Sequence, residues 1–223
     1  MRRYLPAALF VPAVLLCESP ALPVQMALGL ATAGFLFLFL RDSPVPPMQV
    51  LTAIVVATLG ECVLSLGWGL YHYRDALLPL YVPPGHGLFY ALAAEAATLE
   101  RLRRNETAIA RTVLVCGTAV ALASAFFVRD QWGLIWWVLA ALLIARSRSQ
   151  LLLSICFVLT MALELLGTAI GNWRWVPEVP LAGLTSANPP SGVGIVYVLL
   201  DMITVAICAQ IRDSSRSRSS AVS

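Results

Sequence analysis

Eight long apolar segments, separated by short polar connections, make up most of this chain. A helix needs roughly 20 apolar residues to cross the hydrocarbon core of a bilayer. Only 12% of the 223 residues are charged, which is about half the share found in a soluble domain. The pattern predicts an all-α integral membrane protein with eight transmembrane helices. The predicted segments cover residues 4–18, 21–40, 48–70, 84–99, 107–128, 131–146, 150–171 and 191–211.

The first segment also has features of a signal peptide, because Arg2 and Arg3 precede its apolar run. No small-x-small cleavage signal stands before Glu18, so the segment is expected to remain as the first helix. The first, fourth and sixth segments are the short ones. They are expected to tilt or to rely on flanking residues to cross the bilayer.

A short motif occurs twice, at positions 102 residues apart, as "GLYHYRDALLPLYVPP" and "GNWRWVPEVPLAGLTSANPP". Each copy reads glycine, any residue, aromatic, basic, aromatic, then a spacer and Pro-Pro. An acid precedes each copy: Glu61 stands eight residues before its glycine, and Glu164 stands seven before its own. The paired features are Gly69 and Gly171, Tyr71 and Trp173, His72 and Arg174, Tyr73 and Trp175, Pro83-Pro84 and Pro189-Pro190, and Glu95 and Asp201.

This internal similarity predicts two four-helix repeats, residues 1–104 and 105–211. Because each repeat has an even number of helices, the two would run parallel, related by an axis along the membrane normal. Arginines indicate the orientation. With the N-terminus inside, twelve arginines are cytoplasmic and three, Arg74, Arg129 and Arg174, lie in outer loops. The expected location is a bacterial cell membrane, with both termini and a disordered tail (212–223) in the cytoplasm and the motif loops on the outer face.

Four acids are expected to share one layer of the bundle. Counting 1.5 Å per residue from the helix ends puts Glu61, Glu164, Glu95 and Asp201 roughly 10–16 Å below the outer surface. Acids in a membrane face the bundle interior and usually carry function. Burial disfavours a charged carboxylate, so at least one of them is expected to be a neutral acid that can donate a proton. The alternative is that they are neutral acids hydrogen-bonded between helices, above all Glu95, which lies among alanines.

Glu61, Asp201 and Glu164 are the candidate catalytic residues, in that order. The candidate substrate-binding residues are aromatic or polar side chains in or near the motif loops. For the aromatic ones, the alternative is a belt at the membrane interface. Of the two histidines, His72 and His86, no third ligand stands at a recognisable spacing, so no metal is expected. The substrate-binding candidates are Trp68, Tyr71, Tyr73, His86, Trp173, Trp175, Asn188 and Tyr197.

Two resemblances bear on the chemistry. The stretch "ECVLSLGWGLYHYRDALLPLYVPP", residues 61–84, resembles carotenoid-biosynthesis membrane proteins that hydrate terminal alkenes of long polyenes, in its glutamate, Gly-x-Tyr-x-Tyr and Pro-Leu-x-Val-Pro. The chain length and the pairing of Glu61 with Asp201 are similar to the small integral-membrane terpene cyclases, although Gly60 and Cys62 replace the aromatic neighbour of the glutamate in that family. Both resemblances imply that a buried acid protonates an alkene or epoxide of an isoprenoid.

The sequence therefore predicts a membrane enzyme of isoprenoid metabolism, a lyase or isomerase, that cyclises or hydrates a terpenoid or polyene. No cofactor is expected, because the chain has no dinucleotide, phosphate-loop or hydrolase motif. The expected partners are a lipophilic small molecule and membrane lipids, not nucleic acid, and the oligomeric state is open. A small proton-coupled transporter, a lipid-binding membrane protein and a structural scaffold are the alternatives.

Overall fold

The described part of the chain is built from helices and one two-stranded ribbon. The computed structural model describes residues 4–75 and 77–220, with side chains up to residue 215. The elements are α1 (Tyr4–Leu16), α2 (Leu22–Leu40), α3 (Pro47–Glu61), a π-helix (Cys62–Gly67), β1 (Tyr71–Tyr73), α4 (Val82–Ala96), α5 (Glu100–Arg103), α6 (Glu106–Phe127), α7 (Gln131–Arg146), α8 (Gln150–Ile170), β2 (Trp173–Trp175) and α9 (Ile195–Ser220).

Five of these helices are long and apolar enough to cross a membrane, counted over the described residues. They are α2, α3 with its π-helical extension, α6, α8 and α9 up to residue 215. Two more, α1 and α7, are apolar but shorter. These helices are compatible with an integral membrane protein. These seven helices correspond to seven of the predicted apolar segments. The fourth predicted segment, residues 84–99, corresponds to α4, which has 15 residues.

Proline and glycine account for several helix boundaries. Prolines stand at the first or second position of α2, α3 and α4, where the missing N–H costs no intrahelical bond. At the other end of a helix, Gly171 ends α8 with a φ of +78°. Gly69 has a φ of +75° just before β1. The motif begins with glycine in both copies because the backbone turns there through the left-handed region, which costs other residues energy.

The helix contacts of the two halves agree in part: α6 packs against α7 and α8 of its own half, whereas α1 packs most against α8 of the other half. In the first half, α4 packs against α2 and α3; in the second half, α9 packs against α7 and α8. Between the halves, α3 packs against α9, and α8 packs against α4. The central helices α3, α4, α8 and α9 thus surround the interior, where the two copies of the motif meet.

The strands β1 and β2 pair with each other to form an antiparallel ribbon, called the ribbon below. Tyr71 is opposite Trp175, His72 is opposite Arg174, and Tyr73 is opposite Trp173. From the sequence these stretches are predicted to be loops, because a strand of three residues gives little periodic signal. The pairing joins the two copies of the motif directly.

Two expectations differ from the structure. The sequence predicts a disordered tail from residue 212, whereas α9 continues through Ser220; no proline or glycine interrupts the chain there. The five cysteines lie in apolar runs and are expected in the core, but Cys17, Cys62 and Cys116 are exposed and only Cys156 and Cys208 are buried. In a membrane protein an apolar run does not tell the lipid-facing side of a helix from the packed side.

Candidate functional site

The two faces of the ribbon have different characters. Its outer residues, His72 and Arg174, are exposed, and the aromatic residues on either side of them are buried. The alternation follows from strand geometry, which points successive side chains to opposite faces. The inner face therefore carries four aromatic side chains: Tyr71, Tyr73, Trp173 and Trp175.

The four inner rings form one connected layer. Tyr71 lies against Trp175 with ring centroids 4.6 Å apart. The Tyr73 and Trp173 rings are 6.1 Å apart in an edge arrangement, and the two tyrosines are 5.9 Å apart. Aromatic pairs at these distances stabilise one another beyond the area that they bury. The layer forms a roof over the helices below.

Glu61, at the end of α3, accepts hydrogen bonds from the aromatic residues of its own motif copy. The Tyr73 hydroxyl donates to Glu61 Oε2 at 2.8 Å, and the Tyr71 hydroxyl donates to the same oxygen. Burial, and secondly the nearby Glu61 carboxylate, raise the pKa of both tyrosines well above the ordinary value. The phenols therefore remain protonated and act as donors to the glutamate.

Glu164, on α8, has the equivalent arrangement in the second copy. Its Oε2 accepts hydrogen bonds from the indole N–H groups of Trp173 at 2.8 Å and Trp175 at 2.9 Å. Both bonds end on the same oxygen of the carboxyl group. Because both glutamates bind the same short ribbon, they lie at one level of the bundle, as the sequence predicts for this pair.

The π-helix explains a difference in spacing between the copies. Glu61 stands eight residues before Gly69, whereas Glu164 stands seven before Gly171. The extra residue lies in the stretch Cys62–Gly67, which is wound as a π-helix. A π-helix accommodates more residues per turn than an α-helix does. The insertion is absorbed there, and Glu61 still reaches the ribbon.

Beneath the roof lies a cavity of about 470 Å³, called the chamber below. Residues of α1, α3, α4, α8, α9 and the ribbon line it, together with Thr32 of α2. The lining includes both glutamates and His86, and the rest is mainly aliphatic and aromatic. A largely apolar chamber with a few converging polar groups is the usual form of a small-molecule site.

His86 and Tyr197 extend the polar group at the top of the chamber. The Tyr197 hydroxyl lies 2.7 Å from His86 Nδ1. His86 Nε2 lies 3.4 Å from Glu61 Oε1, within ion-pair range but without hydrogen-bond geometry. The structure thus places four of the predicted substrate-binding residues around Glu61. Tyr71 and Tyr73 donate hydrogen bonds to it. His86 lies beside it and in turn contacts Tyr197.

The expectation that four acids share one layer is wrong for Glu95. Its carboxylate accepts hydrogen bonds from the hydroxyls of Tyr4 and Ser43. Tyr4 is the first residue of α1. At the other end of that helix, the Leu15 carbonyl oxygen accepts a hydrogen bond from the side-chain amide of Asn172, beside the ribbon. Eleven residues of α-helix place Tyr4 roughly 16 Å from that end. Glu95 is therefore near the opposite end of the bundle, because α4 ends at Ala96 and Glu95 lies in its last turn.

Asp201 is separate from both glutamates. It is 5% exposed and lies beside Tyr90 of α4, and its Oδ1 has no hydrogen-bond partner among the described residues. Its neighbours Leu200 and Ile203 line the chamber, but Asp201 is not among the lining residues. The structure therefore groups Glu61 with Glu164 rather than with Asp201.

Three of the other singled-out residues lie away from the chamber. Trp68 donates its indole N–H to the Pro180 carbonyl oxygen, and Asn188 Oδ1 accepts from the Trp175 backbone N–H. His72 is on the outer face of the ribbon. Asn188 and Trp68 stabilise the second motif loop, and Asn188 contributes to the site only by fixing the backbone of Trp175.

One residue that shapes the site, Asp130, is not among the site residues predicted from the sequence. Asp130 is fully buried and accepts hydrogen bonds from the backbone N–H groups of Gly133, Ala187 and Ser191. It caps α7 and holds the loop that precedes α9. An Asp before an apolar segment is a recognisable N-cap signal, but its partners 57 and 61 residues away are not visible in the sequence.

A second depression, of about 560 Å³, lies over the outer face of the ribbon. His72 and Arg174 line it, and it shares Tyr73, Trp173 and Trp175 with the chamber. A partition only one residue thick therefore separates the chamber from this depression.

Comparisons of the chain with protein-family models, with curated proteins and with solved structures found no match.

Proposed function

We propose that this protein is a membrane enzyme that protonates an alkene or epoxide of an isoprenoid and directs the resulting carbocation to cyclisation or hydration. The single observation that carries the proposal is the pair of glutamates at one level of an apolar chamber, each bound to two aromatic side chains of the roof. An acid protonates the substrate, aromatic faces stabilise a cation, and an apolar lining limits the access of water to it.

Glu164 is the proton donor in this proposal. Its two hydrogen bonds both end on Oε2, so a neutral Glu164 that carries its proton on Oε1 keeps both of them. The proton moves from Oε1 to one alkene carbon, where the π electrons form the new C–H bond. The adjacent carbon becomes cationic, and Glu164 is left as a carboxylate held by the two indole N–H groups.

Glu61 is the proton acceptor. Two phenol hydroxyls donate to it and His86 lies beside its other oxygen, an environment that favours the ionised form. In cyclisation, a second alkene attacks the cation and Glu61 removes the final proton. In hydration, a water molecule adds to the cation and Glu61 takes the proton that it releases. A proton returned from Glu61 to Glu164 through water restores both acids.

The roof stabilises the intermediate. The inner face of the ribbon presents two indole and two phenol rings, and a cation held within about 6 Å of such a ring is attracted to its face. The Trp175 ring is supported from behind by Trp136, with centroids 5.7 Å apart. The rings are therefore fixed before the substrate binds, as electrostatic catalysis requires.

The proposal includes the arrangement of the chain as two parallel four-helix repeats, with both termini in the cytoplasm and the ribbon at the outer face. The corresponding contacts of α4 with α2 and α3, and of α9 with α7 and α8, support it. So does the ribbon, in which the two motif copies meet about a local two-fold axis through the pair His72 and Arg174.

The test compares amide variants of three acids in cells that make isoprenoids. Lipid extracts from cells with and without the protein identify the product by mass, which is unchanged after cyclisation and increased by one water after hydration. Glu61→Gln and Glu164→Gln should each abolish the product while the protein still folds. Asp201→Asn should retain it. Full activity in both glutamine variants would refute the proposal, and loss in Glu61→Gln and Asp201→Asn with activity retained in Glu164→Gln would favour the pairing predicted from the sequence.

A proton-coupled transporter is the second candidate. The observation that favours it is the distribution of buried acids from the ribbon end, through Asp201, to Glu95 at the opposite end, since intramembrane acids at several depths suit proton transfer. Uptake of a solute into proteoliposomes, driven by a proton gradient and leaving the solute chemically unchanged, would support it. Such uptake together with unchanged lipid extracts would exclude the enzyme.

A further inference from the structure

We propose that the chamber opens sideways to lipid between α3 and α9, and that the substrate is a long-chain isoprenoid that enters end-first through this opening. The inference rests on the proposed function and names the substrate class of the same site. The two central helices α3 and α9 pack against each other, and chamber-lining residues lie on both.

Four aliphatic side chains carry the argument, because each lines the chamber and is also exposed on the outside of the bundle. On α3 and its π-helical extension, Leu59 and Val63 are both 61% exposed; on α9, Leu199 and Ile203 are 36% and 44% exposed. A residue that faces both the chamber and the outer surface lies at the rim of an opening. These helices are long and apolar enough to cross the bilayer, so the rim faces the hydrocarbon core.

The dimensions of the chamber exclude complete enclosure of a long substrate. The lining residues extend from Val56 to Leu64 on α3 and its π-helical extension, and from Val196 to Ile203 on α9. This is a height of roughly 10–12 Å at 1.5 Å per residue. The volume of about 470 Å³ is in the lower part of the range for sites that hold drug-sized ligands. A polyene or polyprenyl chain therefore has only its terminal units inside.

The positions of the acids determine which end is inside. Glu61 and Glu164 are at the roof, and the rim residues lie on the helices beside them. Substrate that enters between α3 and α9 brings its terminal alkene toward the roof and leaves its tail in lipid. The wall of the opening has little polar character, since all four rim side chains are aliphatic. The opening therefore selects a hydrocarbon chain without a headgroup at the reacting end.

Gly60 keeps the path open. It lines the chamber between rim residues, and a Cβ added there would meet no atom within 4 Å. A larger side chain at this position would project into open space and obstruct the chamber without displacing its neighbours. Gly34 on α2 also has no atom within 4 Å of an added Cβ, but it does not line the chamber.

The matched substitutions are therefore Gly60→Leu and Gly34→Leu. Both variants are assayed with two photoreactive probes. The probes are two polyprenols, one with a diazirine in the terminal isoprene unit and one with it in mid-chain. After irradiation in proteoliposomes, labelled peptides are identified by mass spectrometry. We expect the terminal probe to label residues of the roof, and the mid-chain probe to label residues 59–63 and 199–203.

Gly60→Leu should reduce labelling of the roof by the terminal probe at least tenfold, and Gly34→Leu should leave it unchanged. If Gly60→Leu does not fold, Leu199→Trp at the rim replaces it, with the same expectation. Mid-chain labelling between other helices, or undiminished roof labelling in the folded variants, would overturn the inference. Labelling at the rim in a protein that leaves every lipid extract unchanged would retain the opening and refute the proposed chemistry, so the two failures are distinguishable.

Discussion

Tyr71 and Trp175 face each other across the ribbon, with ring centroids 4.6 Å apart, and each donates a hydrogen bond to the glutamate of its own half of the chain. One cross-strand contact therefore links the two acids. Displacing either strand would disturb Glu61 and Glu164 together. The site depends on the pairing of the two motif copies as much as on the acids.

The tyrosine hydroxyls of the ribbon should stabilise the fold through Glu61. In Tyr73→Phe, the carboxylate loses a donor at 2.8 Å, and a hydrogen bond to a charged group contributes about 1.5–3 kcal/mol. We expect thermal unfolding in detergent to show a loss of this order. In a Glu61→Gln background the same substitution should cost less, because the partner is neutral. An equal loss in both backgrounds would show that Tyr73 acts by packing alone.

Gly167 should tolerate no side chain, because the Trp173 ring packs against it. A Cβ at this position would lie 2.0 Å from a ring carbon of Trp173, and overpacking of this kind costs about 1–3 kcal/mol. Gly167→Ala should lower the unfolding temperature and displace the indole from Glu164. Gly60→Ala, where no atom is within 4 Å, is the control and should be neutral or stabilising.

A double-mutant cycle checks this explanation. Trp173→Phe removes the ring atoms that the new Cβ would meet, so Gly167→Ala should cost less in the Trp173→Phe background than in the native protein. Additive effects in the double variant would mean that the cost of Gly167→Ala arises elsewhere in α8.

Asp130 should be among the most sensitive positions outside the chamber. In Asp130→Ala, three backbone N–H groups lose their acceptor, and loss of an N-cap alone costs up to about 2 kcal/mol. We expect a loss of at least about 2 kcal/mol, with a smaller loss in Asp130→Asn. The control is Asp213→Ala, at an exposed position on α9. An unfolding temperature for Asp130→Ala equal to that of the control would contradict the role given to Asp130.

Stability should fall with rising pH because of Glu18, which lies between α1 and α2. Burial raises the pKa of this carboxyl group above its ordinary value of 4.5, and the hydrogen bond from Tyr81 partly opposes the shift. The folded state therefore holds the proton more tightly than the unfolded state does. The Glu18 contribution is fully present below pH 4.5 and is lost as pH rises through the raised value.

The measurement is the unfolding temperature as a function of pH for the native protein and for Glu18→Gln, which cannot ionise. The unfolding temperature of Glu18→Gln should increase relative to that of the native protein as pH rises from 4.5. Tyr81→Phe removes the hydrogen bond that lowers the pKa, so its stability should continue to fall to higher pH. Parallel curves for the native protein and Glu18→Gln would exclude Glu18 as the cause.

Much of the helical framework could be predicted from the sequence, because apolar length is a strong signal in a chain with few charges. The predicted segments match helices of the structure, from α1 at the N-terminus to α9. The twofold motif and its acids were also visible, and they predicted that Glu61 and Glu164 share a level with aromatic residues nearby. These predictions used local features, which the sequence displays directly.

The parts that could not be predicted depend on contacts across the chain. Nothing in the spacing indicates that Trp68 turns to Pro180 instead of the chamber, or that Glu95 binds Tyr4. Depth counted from helix ends fails when a helix ends before its apolar segment does, as α4 does at Ala96. The pairing of β1 with β2 is a non-local contact between strands of three residues, too short to have a period.

The π-helix after Glu61 has a consequence for aligning the two halves of the chain. If the two copies are aligned without a gap from Glu61 and Glu164, the alignment is out of register by one residue at Gly69 and Gly171. The mismatch is confined to Cys62–Gly67, so a one-position gap belongs in the second copy opposite that stretch. With the gap, the geometric equivalence is maintained from acid to ribbon. The contacts of the ribbon, rather than the count of residues, therefore define which positions of the two motif copies correspond.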